Sequence, residues 1–183
     1  MVIPLHILAL RRIAGRIGRQ VHLAKGRQHQ APEEANEIIL TLHKELIEWR
    51  RTMPFPLPNL QAKVPHLCSS WFDLNYYTHV VMLYRPSPLI PTLDASKLKT
   101  LAEAAGMAIR QAINLQRQQR FAFNWLNLVM VFHSLLSLMY TTASALPNNL
   151  YQGLDIAKAV DDLESGLELL DSFCKKFPSA KNI

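Results

Sequence analysis

Residues 121–154 contain no Asp, Glu, Lys or Arg, in a chain that carries 20 basic and 14 acidic side chains elsewhere. An uncharged run of that length belongs in a protein core or in a bilayer. Phe121 to Leu146 is long enough to cross a membrane, since about 20 apolar residues suffice. Yet Asn124, Asn127, His133, Ser134, Ser137, Thr141, Thr142 and Ser144 interrupt it, and polar groups in lipid need partners. The amphipathic segments on either side also need an apolar element to pack on. The reading is therefore a buried helix over about 122–145 at the centre of an all-α domain. A span over 121–146 is the alternative. His133 on this helix reads as a core histidine with its bonds satisfied, rather than as a ligand or base.

The rest of the chain supplies the amphipathic helices. Ile3, Ile7, Leu10, Ala14, Ile17 and Val21 recur every three or four residues, opposite a stripe of Arg12, Arg16 and Arg19. This acid-free, arginine-bearing helix also fits a mitochondrial presequence, whereas no long apolar region follows it as a secretory signal requires. Ile39, Leu42, Leu46 and Trp49 stripe a second helix from about Glu33 to Arg51, with Glu33, Glu34 and Glu37 near its positive end. Pro54, Pro56, Pro58 and Pro65 make 52–66 a proline-rich connector. Asp94 is placed to cap a helix carrying Leu98, Leu101, Ala105, Ala108, Ala112 and Leu115. Leu146 to Asn149 reads as a turn. A last helix repeats Ile156, Val160, Leu163, Leu167, Leu170, Cys174 and Phe177. With 49% apolar residues and six glycines, the whole of 1–183 is expected to form one helical domain of about six main helices.

Between the two connectors lies an aromatic-rich helix. Phe72, Tyr76, Val80 and Leu83 share a face, flanked by Tyr77, Val81 and Tyr84. It must stop at Tyr84-Arg85-Pro86, because proline cannot donate the helical bond and disfavours helix in the residue before it. Residues 85–94 then form the second proline-rich connector. Arg85, in the last turn, can face the negative end of the helix dipole.

These motifs, in this order, resemble the middle regulatory domain of fungal zinc-cluster transcription factors. The likeness rests on Leu83-Tyr84-Arg85-Pro86, on Leu101-Ala102-Glu103-Ala104-Ala105-Gly106, and on the uncharged Trp125 to Tyr140. It reaches Leu10-Arg11-Arg12-Ile13 with Ile17, and Leu46-Ile47-Glu48-Trp49-Arg50 before a proline-rich turn. The resemblance implies transcription regulation in the nucleus, through a small-molecule effector or protein partners, with homodimers in full-length members. It implies no catalytic residues. Members read DNA with a separate six-cysteine zinc cluster, and this sequence, with two cysteines, has none. The expectation is a fragment of a larger factor, a truncated product or a stand-alone regulator.

The residues themselves point to no chemistry. No glycine-rich phosphate loop, nucleophile elbow or paired metal motif is present. Cys68 and Cys174 cannot close a zinc site, so no cofactor is expected in this chain. Charge is uneven: 16 basic against 8 acidic residues in 1–120, then 4 against 6 in 121–183. Spread over several helices, the excess predicts only weak, sequence-independent DNA binding. Trp71, Tyr76, Tyr77, His79, Trp125 and His133 are expected to line an effector pocket. The same pocket would serve the competing class, a helical small-ligand binder or enzyme. Trp125 and Leu128 are expected in the core.

Overall fold

A computed structural model describes residues 2–23, 31–57, 64–145 and 155–177. Six helices run in order: α1 Val2–Ile17, α2 Pro32–Arg51, α3 Ser69–Tyr84, α4 Ala95–Arg117, α5 Trp125–Ala145 and α6 Ile156–Lys176. A π turn at Gly18–His22 prolongs α1, and a 3-10 turn at Pro65–Leu67 leads into α3. No strand occurs among the described residues, so the all-α class and the six helices hold. Of the 52–66 connector, 58–63 lie outside the described residues, as do most of the break after α1 and the turn at 146–149.

Helix boundaries follow local chemistry. α2 opens on Pro32, whose missing N–H costs nothing there, with Glu33 and Glu34 in its first turn and Arg50 and Arg51 in its last. α3 stops at Tyr84; Arg85 is already extended, at φ −61° and ψ 149°, and its N–H donates to the Val81 carbonyl at 2.9 Å. Arg85 is thus the residue after the helix, not a member of its last turn. Asp94 caps α4 by accepting from the Lys97 amide at 2.9 Å. Two caps that the sequence reading did not single out work alike: Asn124 accepts from the Asn127 amide at 2.9 Å, and Asp155 from the Lys158 amide at 3.1 Å.

The most enclosed helix is α3, not α5. Ten of the 16 residues of α3 are buried, on all sides. It packs chiefly on α4, and also on α2, α1 and α5. Its polar residues do not prevent this, because they bond inside the helix. Asn75 Nδ2 donates to the Trp71 carbonyl at 2.8 Å, Thr78 Oγ1 to Leu74 at 2.8 Å, and His79 Nδ1 to Asn75 at 2.6 Å. The second layer is α4, whose Ala102, Ala104, Ala105, Ala108 and Ala112 are buried and allow close approach.

The expectation that α5 is central is corrected. α5 lies against α4 and α6 through Val131, Ser134, Leu135, Ser137, Leu138 and Thr141. Its other side is open: Trp125 is 66% exposed, Met139 54% and Leu136 45%. Trp125 is therefore not core, and Leu128 is only partly buried against it. The physical reason is that lack of charge does not say which side faces in. Here the small hydroxyl residues face in, with Ser134 Oγ donating to Met130 and Thr141 Oγ1 to Leu138, each at 2.9 Å. Ser134 and Thr141 are satisfied by the helix's own carbonyls, as are the outer Thr142 and Ser144. By length and composition Trp125–Ser144 could cross a membrane, and a third of that window is buried.

Candidate functional site

The six residues expected to share a pocket do not line one cavity together. Trp71 is half-buried at the start of α3, edge-on to Phe72 at 5.2 Å and to His66 at 6.2 Å between ring centroids. Tyr76 and Tyr77 lie edge to face at 5.0 Å, and Tyr76 reaches toward α2. His79 is buried, 4% exposed, with its Nδ1–H bonded to the Asn75 carbonyl. Burial pushes its imidazole down to about 4, the Asn75 carbonyl resists, and nearby Arg11 pushes further down. Trp125 opens α5 on the outside. His133, on α5, lies near Arg85 and His22; burial first, then these two neighbours, holds it below the ordinary histidine range.

The Tyr84-Arg85-Pro86 motif fixes the far end of α3. Tyr84 is buried, and its hydroxyl shares a 2.7 Å hydrogen bond with His43 Nδ1 on α2. The Tyr76 hydroxyl makes a long 3.5 Å contact with His43 Nε2. His22 Nε2 donates to the Met82 carbonyl at 2.7 Å, tying the π turn to the same end. Arg85 is half-buried, and desolvation lowers its basicity. No carboxylate pairs with it among the described residues. The end of α3 is therefore tied to α2 through Tyr84 and to the π turn through Met82. His43 and His22 went unremarked in the sequence; their partners lie 41 and 60 residues away, beyond any local pattern.

Two concavities sit at opposite ends of the central helices. One, of about 650 Å³, lies where Pro32, Ala35 and Asn36 of α2 face Pro88 to Thr92 of the second connector. Its walls are mostly proline and aliphatic side chains, with Asp94 and Lys97 paired at its edge. The other, of about 220 Å³, lies where α1, the 3-10 turn, α3 and the start of α5 converge. Arg11, His66, Trp71, Asn75 and Arg120 line it, and among the described residues no Asp or Glu does. Arg120 Nη1 donates to the Val64 carbonyl at 3.3 Å. Of the six expected pocket residues only Trp71 belongs to either concavity.

Neither arrangement has the parts of a catalytic centre. Among the described residues no nucleophile stands within hydrogen-bonding reach of a base and orienting acid, the arrangement that activates a nucleophile. Cys68 Sγ donates to the Pro65 carbonyl at 3.1 Å, and both cysteines are free thiols. Among the described residues no three His, Cys, Asp or Glu side chains gather closely enough to hold a metal ion.

Comparison with known proteins gives two relatives at low identity. The chain is 24% identical over 187 aligned positions to Protein STB5 of Saccharomyces cerevisiae, covering 93% of this chain and 24% of the relative. It is 23% identical over 112 positions to the negative regulator of pleiotropic drug resistance STB5 of Candida glabrata, covering 61% of this chain and 10% of the relative. The chain thus spans about a quarter or less of the length of these relatives. No family model matches, and no solved structure matches. The two relatives support a relation between this chain and fungal transcription factors.

Proposed function

We propose that this chain is the regulatory, non-DNA-reading part of a fungal transcription regulator, acting in the nucleus through an effector or protein contacts. The observation that carries the reading is the match to the Saccharomyces relative across 93% of the chain. The order of motifs, with Leu83-Tyr84-Arg85-Pro86 at its centre, agrees with it. The match covers a quarter of the relative, as one module of a longer regulator would. On this reading the chain has no catalytic activity and needs no cofactor of its own, with zinc confined to the DNA-binding cluster of full-length relatives.

The outward face of α5 supports protein contacts. Trp125, Leu136, Met139 and Tyr140 leave a wide apolar strip on a helix without a single charge, and monomeric proteins rarely leave large patches of this kind open. We take it as a protein-facing surface rather than a lipid-facing one, with homodimerisation in the longer relatives among its uses. The test is a chimera. The matching segment of the Saccharomyces relative is exchanged for this chain, and transcripts that respond to the relative are measured. Regulation lost on deleting the segment is expected to return. A chimera of normal abundance that behaves like the deletion overturns the reading.

A further inference from the structure

The geometry points to a binding site for a small oxyanion, a phosphate or carboxylate group, in the cavity between Arg11, His66 and Arg120. This goes beyond the regulatory reading and does not depend on it.

The first observation is how the fold treats its arginines. At three other helix–helix junctions an arginine meets a carboxylate: Arg16 with Glu45, Arg50 with Asp73, and Arg110 with Asp162. At this cavity none does. Arg11, exposed at the cavity's mouth, makes no hydrogen bond or ion pair among the described residues. Arg120 spends one of its five N–H donors on the Val64 carbonyl. His66 adds a ring N–H, and among the described residues the lining contains no acidic side chain. Two guanidinium groups and a ring N–H come from positions 11, 120 and 66, on α1, the α4–α5 connection and the 3-10 turn. Gathering them without a counter-charge raises the local potential and concentrates anions.

The second observation is the cavity's other wall. The N-terminus of α5 lies here, with Asn124, Leu126 and Asn127 in the lining, so the positive end of a helix dipole adds to the arginines. Size then limits the ligand. At about 220 Å³ the cavity is below the roughly 300–1,000 Å³ of drug-sized ligand sites. It suits an inorganic oxyanion or a short organic acid, not a nucleotide. Arginine forks match phosphate and carboxylate oxygens alike, and the Trp71 ring beside them offers a flat apolar wall.

The test is a titration of the isotope-labelled 183-residue chain with sodium phosphate and, separately, with succinate, at neutral pH and constant ionic strength. The readout is the indole N–H resonance of Trp71. Saturable, one-to-one shifts are expected with at least one anion, and which one saturates distinguishes phosphate from carboxylate chemistry. Arg11→Gln and Arg120→Gln are each expected to bind about tenfold more weakly, the scale of one lost charged hydrogen bond. Arg12→Gln, an exposed neighbour on α1, is expected to bind like the parent. Arg120→Gln also loses the Val64 bond, so Arg11→Gln, which loses no bond within the fold, carries the test if the former misfolds. Non-saturating shifts with both anions, or unchanged binding in Arg11→Gln, overturn the site.

Discussion

His79 shows what burial does to a single side chain in this fold. It is 4% exposed, bonded to the Asn75 carbonyl, and neutral at physiological pH because its imidazole titrates at about 4. In the unfolded chain it would titrate near 6.5. The native state therefore binds fewer protons than the unfolded state between those values, so stability rises with pH across that window. It is fully present above about pH 6.5 and is lost as the pH falls toward 4. By linkage this one group removes about 3 kcal/mol on acidification. His6, His22, His43 and His133 shift downward too, and their loss has the same sign. The thermal midpoint is expected to fall steeply from pH 6.5 to pH 4, and less steeply in His79→Gln. A parent and variant with parallel pH profiles would contradict the assignment. From sequence, the stop at Tyr84-Arg85-Pro86 and the Asp94 cap were legible, because proline and capping chemistry act within a few residues. The His43–Tyr84 bond and the burial of His79 were not, since they depend on which helix lies alongside.

At the scale of the element, α3 holds the enclosed place expected of α5. The uncharged run identified a helix but gave it no orientation, because with no charges the apolar side had nothing to contrast with. The orienting signal was present in Ser134, Ser137 and Thr141, spaced three and four apart, which mark the side that meets the neighbouring helices. α3 was legible as an aromatic-rich helix, but its polar residues disguised how completely it is enclosed. The same reasons dispersed the expected pocket: Trp125 and His133 follow α5, Tyr76 packs on Tyr77 and reaches toward α2, and His79 is bonded to the Asn75 carbonyl of its own helix. A paired substitution tests the orientation of α5. Trp125→Asp is expected to melt near the parent temperature, because that position is 66% exposed. Leu138→Asp, at 2% exposed, is expected to unfold the chain. An unpaired buried charge costs several kcal/mol, against a typical total stability of about 5–15 kcal/mol. Melting curves showing an unfolded Trp125→Asp, or a cooperative Leu138→Asp at the parent midpoint, would reverse this orientation.

For the whole molecule, the net charge of +6 and the regulatory reading make opposite suggestions about nucleic acid. Base reading needs a positioned element in a groove, whereas scattered lysines and arginines give only phosphate attraction. The arginines at 16, 50 and 110 are also occupied by carboxylates. Binding to a random duplex pool is expected to be weak, without sequence enrichment, and gone by roughly 200 mM salt; a motif enriched at that salt would give the chain a DNA-reading role. The all-α class and the six helices were readable from breakers and periodicity, while their packing order needed contacts between distant parts of the chain. The account's central claim is that this bundle regulates transcription without reading DNA. The most direct measurement tethers it to an unrelated DNA-reading domain in yeast and records a reporter under that domain's sites. Reporter output is predicted to depart from that of the DNA-reading domain alone, and to return to it in the Leu138→Asp fusion. An abundant, folded parent fusion whose output equals that of the DNA-reading domain alone would contradict the claim.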